Sequence, residues 1–243
     1  MASKEIDYKG HAFQLSYELA NPSQEEVLLV LHGWGSNKEI MKQAFGKELS
    51  GYKHIYLDMP GFGKSSNDMV LTTEDYAAIV QLFLDALNVK VKIAMGHSFG
   101  GKVSTLLNSP CLVLLSSSGI LVPKPMDVKV KIALTKMLKP FKFAWIRKLF
   151  ASKDVEGMSH EMYETFKNVV NEEFEHNFSR VSGKALLFWG KADTATPLWT
   201  AEKIQGMIPG AQLYPLEGDH FFFLKHAPFI AQTITDQCKD GNS

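Results

Sequence analysis

The pentapeptide Gly96-His97-Ser98-Phe99-Gly100 directly follows the apolar run Val91-Lys92-Ile93-Ala94-Met95. A serine held between glycines two residues away on either side, at the end of a strand, is forced onto a sharp strand-to-helix turn. Such a turn lifts the hydroxyl out of the sheet and aims the following N–H groups at whatever that hydroxyl attacks. The chemistry implied is nucleophilic, and a serine hydroxyl needs help to do it: a base to take its proton and an acid to orient the base. Histidine is the side chain whose ordinary pKa suits the base.

Of the eight histidines, His220 is best placed. It ends Glu217-Gly218-Asp219-His220, just past the apolar run Gln212 to Leu216, where a loop overhangs the carboxyl edge of a sheet. His97 adjoins Ser98, but the turn should point its ring elsewhere. His160, His176 and His226 fall in helical or lid context and read as surface residues. For the acid, Asp193 in Trp189-Gly190-Lys191-Ala192-Asp193 follows the run Ala185 to Trp189. The run Leu112 to Leu115 ends in Ser116-Ser117-Ser118-Gly119, with no carboxylate before Asp127. Asp58 leads into Pro60-Gly61-Phe62-Gly63 and reads as a loop anchor. Acyl transfer also develops an oxyanion, which preorganised N–H donors must meet. The Phe99 N–H, at a helix start, is one expected donor; the Trp34 N–H, in His32-Gly33-Trp34-Gly35, is the other. No cysteine or histidine–carboxylate cluster has metal-ligand spacing, so neither metal nor organic cofactor is expected.

These residues need a scaffold that gathers strand ends at one edge. Val27 to Leu31, His54 to Leu57, Val91 to Met95, Leu112 to Leu115, Ala185 to Trp189 and Gln212 to Leu216 are apolar mostly on consecutive residues. That is the pattern of strands buried on both faces of a mainly parallel sheet. Thr72-Thr73-Glu74-Asp75 opens a helix whose apolar positions Ala78, Ile79, Leu82, Phe83, Ala86 and Leu87 keep helical spacing. Thr196-Pro197 reads as the cap and first residue of another. His11 to Leu19 alternates and reads as an antiparallel edge strand. The fold class expected is α/β, a doubly wound, mainly parallel sheet.

Residues 121–180 interrupt this alternation with no strand signal. They read as a helical cap (lid) inserted into a core of residues 1–120 and 181–243. Phe141, Phe143, Trp145, Ile146, Leu149 and Phe150 form its apolar cluster, with Phe143 and Trp145, beside Trp34 and Phe99, as candidate substrate contacts. Charge is segregated along it. Residues 124–153 hold nine basic side chains against Asp127, and residues 154–175 hold seven acids against Lys167. Two solvated helix faces that attract each other account for this; a basic lid face that steers anionic substrates or an acidic carrier protein is the sharper alternative.

The whole chain of 243 residues is balanced, with 26 basic and 26 acidic side chains, which argues against a nucleic-acid binder. No apolar stretch spans a bilayer, and no signal-peptide core follows Met1. Cys111 lies in an apolar strand and Cys238 in a polar tail, so no disulfide framework is expected and a cytoplasmic setting fits.

Taken together, His32-Gly33-Trp34-Gly35, Asp58-x-Pro60-Gly61-Phe62-Gly63-x-Ser65, Gly96-His97-Ser98-Phe99-Gly100-Gly101, Trp189-Gly190-x-x-Asp193-x-x-x-Pro197 and Gly218-Asp219-His220 resemble the α/β-hydrolase superfamily in order and spacing, over roughly residues 10 to 238. The resemblance implies Ser98 as nucleophile, Asp193 as acid, His220 as base, and a helical cap between the sixth and seventh strands. The chain is similar to small capped carboxylesterases, including pimeloyl-carrier methyl ester esterases, and to meta-cleavage-product hydrolases, which split carbon–carbon bonds. The segment Phe99 to Asn108 is shorter than the family's usual helix there. Three functions stay open: an ester hydrolase, a carbon–carbon hydrolase whose dienoate carboxylate would need an anchor when Arg147 and Arg180 are the only arginines, and a ligand receptor on the same scaffold.

Overall fold

The computed structural model describes residues 2–122 and 158–238. One eight-stranded sheet runs through it: β1 (Ala2–Tyr8), β2 (His11–Ala20), β3 (Val27–Leu31), β4 (Lys53–Leu57), β5 (Val91–His97), β6 (Cys111–Leu115), β7 (Lys184–Gly190) and β8 (Gln212–Leu216). Their spatial order is β1-β2-β4-β3-β5-β6-β7-β8. β1, β2 and β4 pair antiparallel, and every pairing from β4 onward is parallel. The helices are α1 (Lys38–Phe45), α2 (Thr73–Ala86), α3 (Phe99–Thr105), α4 (His160–Val170), α5 (Glu175–Phe178), α6 (Leu198–Met207) and α7 (Phe223–Gln237).

Side chains alternate across a strand, so a strand apolar at every position must be covered twice. Leu29 and Leu31 of β3 pack with Ile79 and Phe83 of α2 and Val103 of α3. Leu28 and Val30 face the other way, onto Met41 and Phe45 of α1 and Ile230 and Ile234 of α7. Farther along the sheet, Leu114 and Leu187 pack under Ala201 and Ile204 of α6 and Phe178 of α5. The doubly wound reading therefore rests on helices that cover both faces.

Three expectations change. The strand at His11–Ala20 is antiparallel but is not the edge, because β1 pairs along it from Ala2↔Tyr17 to Tyr8↔His11. β1 has a faint hydrophobic signal, with Ile6 its one buried residue. It is recruited by a two-residue hairpin, Lys9-Gly10, in which both residues have positive φ. Secondly, Thr196 is not the cap of a helix; α6 begins at Leu198, and the Thr196 side chain turns inward to Asp193. Thirdly, Cys111 and Cys238 form a disulfide with Cα atoms 6.0 Å apart. The residue read as part of a polar tail closes α7, whose apolar face returns the chain to the start of β6. The cysteines thus lend no support to a reducing compartment. Among the described residues, no helix is long and apolar enough to cross a membrane.

Helix α2 follows its sequence signals closely. The Thr72 hydroxyl accepts from the Asp75 N–H, and the Asp75 carboxylate accepts from the Thr72 N–H, a reciprocal capping box. The same carboxylate accepts from Tyr8 and Lys9, which ties the first hairpin to this helix.

Within the segment read as a cap, α4 lies against the core. The Leu71 N–H donates to Thr165 Oγ1 at 2.9 Å. Lys102 of α3 is buried, donates to Val169 O at 2.8 Å and pairs with Glu172, which also accepts from Thr73. The basic stretch 124–153, with Phe143, Trp145 and Arg147, lies outside the described residues.

Candidate active site

Ser98 sits between β5 and α3 at φ 52°, ψ −115°, a conformation a non-glycine residue rarely adopts. Two close approaches require the flanking glycines. A Cβ on Gly96 would lie 2.2 Å from Gly100 O, and one on Gly100 would lie 2.5 Å from His32 O. The turn is closed by the Gly101 N–H donating to Ser98 O at 3.0 Å, and the Ser98 N–H reaches Leu115 O on the neighbouring strand at 3.1 Å. α3 spans only Phe99–Thr105, in keeping with the short segment read from sequence.

Asp193 and His220, 27 residues apart, meet at the carboxyl ends of β7 and β8. The His220 Nδ1–H donates to Asp193 Oδ2 at 2.7 Å, and Asp193 is 4% exposed. The other carboxylate oxygen, Oδ1, accepts from the N–H groups of Ala195 and Thr196 at 2.8 and 2.9 Å. The Thr196 hydroxyl lies 2.9 Å from Oδ2 and 3.1 Å from Ser116 O. Burial alone would raise the Asp193 carboxyl. The His220 N–H, then the Thr196 N–H and the charge His220 can carry, outweigh burial and hold it at about 2. Asp193 is therefore an anion at any working pH. With the Nδ1 proton committed to that anion, a neutral His220 presents Nε2 as its proton acceptor.

Thr196 and Ser116 are polar partners that the sequence reading did not assign to the site. The available signal was Asp193-x-x-Thr196: an aspartate followed at short range by N–H groups it can accept is an Asx turn, which competes with the helix-cap reading of the threonine.

The loop after β3 is fixed from both sides. The buried His32 accepts the Met59 N–H on Nε2 at 3.1 Å, so its proton is on Nδ1, which donates to Gly33 O at 2.8 Å. Burial pushes His32 down to about 4, which keeps it neutral in this role. A Cβ on Gly33 would fall 3.0 Å from His97 Nδ1 and 3.1 Å from Ser98 Cβ. This loop thus runs directly beside the serine turn. No hydrogen bond occupies the Trp34 or Phe99 main-chain N–H among the described residues. The Trp34 ring packs on Phe62, Phe99 and Phe166, with centroids 4.8, 5.5 and 5.3 Å away. Phe166 comes from α4, so an aromatic wall beside Ser98 is shared between the core and the segment read as a cap.

Asp58 is placed as a loop anchor. It is fully buried and accepts from Lys38 Nζ at 2.6 Å and from the N–H groups of Lys38 and Lys64 at 2.8 and 3.0 Å. Its own carbonyl accepts from Ser65 Oγ at 2.6 Å. His97 is buried beside His220, with ring centroids 4.6 Å apart. His160 and His176 are exposed, as expected. His226 is half-buried and donates from Nε2 to Glu217 O at 2.7 Å, so it is part of the loop's support rather than a plain surface residue. Ser98 makes no hydrogen bond to His220. Among the described residues, no group of three or more His, Cys, Asp and Glu side chains converges as a metal site would require.

The chain is similar to several known proteins. It is 24% identical to the uncharacterized hydrolase YugF of Bacillus subtilis, over 90% of this chain and 92% of that protein. It is 24% identical to the pimeloyl-[acyl-carrier protein] methyl ester esterase of Vibrio campbellii, over 84% of this chain and 89% of the relative. The fold matches the esterase EaEST from Exiguobacterium antarcticum with a TM-score of 0.74 at 21% identity, covering 94% of this chain and 97% of the other. Residues 26–154 match the alpha/beta hydrolase fold family over more than half of the chain, and, with the parallel sheet and serine turn described above, they establish that this protein belongs to that family.

Proposed function

We propose that the protein is a serine hydrolase that cleaves a small or medium carboxylic ester through an acyl-enzyme. In this reading Ser98 Oγ attacks the acyl carbon while His220 Nε2 takes its proton. Asp193 holds the imidazole in the required tautomer and stabilises the imidazolium. The Trp34 and Phe99 N–H groups receive the oxyanion, and the aromatic wall of Trp34, Phe62, Phe99 and Phe166 contacts the acyl group. His220 then protonates the leaving alcohol. A water molecule, deprotonated by the same imidazole, releases the acid and restores Ser98.

The observation that carries this reading is the 2.7 Å hydrogen bond from His220 to the buried Asp193, with the serine turn at the carboxyl end of β5 in the same sheet. The esterase named among the relatives favours an ester over the carbon–carbon alternative. Arg180 is exposed after α5 and so does not strengthen that alternative. Residues 121–180 are proposed to form the cap, with α4, in its described part, supplying Phe166 to the wall. The basic stretch 124–153 is proposed to meet an acidic carrier, a reading favoured by its charge and by the carrier-linked substrate in a relative's name.

The test is a fluorophosphonate probe followed by turnover of short-chain aryl esters and of a ring-fission dienoate. Labelling at Ser98 with ester turnover is expected. Absence of labelling would favour the receptor alternative, and turnover of the dienoate alone would favour carbon–carbon hydrolysis. Ser98→Ala should lose ester hydrolysis with its melting curve intact; a variant that turned over like the parent would end the proposal.

A further inference from the structure

His97 precedes the proposed nucleophile and has no part in the reaction described above, yet it is 1% exposed and touches the loop that carries the proposed base. His97 Nε2 lies 2.9 Å from His220 O. A carbonyl only accepts, so Nε2 carries the proton. Nδ1 is then a bare lone pair, and it is buried with no hydrogen-bond partner. Leaving a polar atom unpaired in the interior is unfavourable, so the orientation of this ring is held against that cost by the bond on its other side and by packing. The packing is extensive: the ring lies against His220, Phe221 and Phe223, with centroids 4.6, 5.2 and 4.8 Å away, and Gly33 backs it on the remaining side.

The loop needs such support. Asp193 fixes only the Nδ1 side of the His220 ring; the position of Nε2 also depends on the main chain beneath it. Along that loop, His226 donates to Glu217 O, the Ala192 N–H donates to Gly218 O at 2.9 Å, and the Phe222 N–H donates to Asp219 O at 3.1 Å. The carbonyl of His220 itself is held by a side chain one residue from Ser98. The loop is thereby referenced directly to the strand that presents the serine.

We propose that His97 is a positioning residue: its Nε2–H bond to the His220 carbonyl sets where the base stands relative to Ser98. The inference rests on the serine-hydrolase reading for its kinetic consequence, but not for the hydrogen bond. Burial, with His220 beside it, pushes His97 down to about 3, so it serves as a neutral donor.

The test compares His97→Gln, whose amide nitrogen can reach the position of Nε2, with His97→Phe, which keeps a ring but has no donor. With an aryl ester, H97F should lose roughly 10- to 100-fold in kcat with KM nearly unchanged, since an ångström-scale displacement of a catalytic group costs about that much. H97Q should stay within about threefold of the parent. A second readout uses resting protein without substrate. Proton NMR should show the low-field His220 Nδ1 proton in the parent and in H97Q, and a broadened or lost signal in H97F. Nitrogen-15 spectra of the parent should show His97 neutral and protonated on Nε2. An unchanged kcat and Nδ1 signal in H97F, equal losses in both variants, or a parent His97 protonated on Nδ1 would each overturn the proposal. Because the spectra need no turnover, an enzyme that failed to label with fluorophosphonate would refute the hydrolase reading while leaving the hydrogen bond separately readable.

Discussion

Replacing Asp193 by Asn preserves shape and removes charge, and the surroundings dictate how the amide must sit. At Oδ1 stand two main-chain donors, Ala195 N–H and Thr196 N–H, which need an oxygen. At Oδ2 stands His220 Nδ1, 2.7 Å away. The amide oxygen is therefore drawn to the first position and the NH2 group to the second, where it donates to Nδ1. That selects the imidazole tautomer with its proton on Nε2, the nitrogen that must accept from Ser98, and blocks the base. The expected loss in kcat is on the order of 10⁴, the scale known for a base locked in the wrong tautomer. Stability should fall as well. Holding a carboxyl at about 2 in place of its ordinary 3.8 corresponds to roughly 2.5 kcal/mol of folding stability at neutral pH. The sign follows from the lowered value: the contribution is complete above pH 3.8 and is lost as pH falls through about 2. For a chain of this length, D193N should melt roughly 5–10 °C below the parent at pH 7, with the gap closing near pH 2. Aryl-ester kinetics and calorimetry at several pH values measure both effects. A D193N enzyme within tenfold of the parent in kcat would refute the role given to Asp193, and a melting difference that widened in acid would refute the electrostatic account.

The remaining predictions concern the supports of the site. Lys38→Met leaves the Asp58 carboxylate buried with its main-chain donors but without its cation; breaking such a pair costs about 3 kcal/mol, read by calorimetry as a drop of roughly 6–12 °C in Tm, and an unchanged Tm would show the pair to be dispensable. Gly33→Ala places a methyl 3.0 Å from His97 Nδ1 and 3.1 Å from Ser98 Cβ, so the β3–α1 loop must shift away from the serine turn. About tenfold or greater loss in kcat is expected from steady-state assays, because the shift moves the Trp34 N–H with it; parent-like turnover would remove Trp34 from the oxyanion site.

The strands were readable because burial on both faces leaves its mark on every residue, as in Val27–Leu31, and α2 was readable because its capping box and its apolar stripe agree. β1 was not, since a polar strand with Ile6 alone buried is formed by the hairpin and its neighbour rather than by its own side chains. The helix-cap reading of Thr196 failed for a related reason: a threonine before a proline satisfies a local rule, but the buried carboxylate of Asp193 is a stronger acceptor close by. The disulfide was hidden because residues separated by 127 positions carry no local sign of meeting.

The types and order of Ser98, Asp193 and His220 were present in the chain itself, because a strained turn and strand-end loops demand particular residues at short range. Only the folded sheet could bring Asp193 to His220, set Thr196 beneath them, and turn His97 back onto the loop of its distant neighbour. Those contacts depend on the registry of parallel strands and on which backbone carbonyl lacks a partner, and neither is written in any single stretch of sequence.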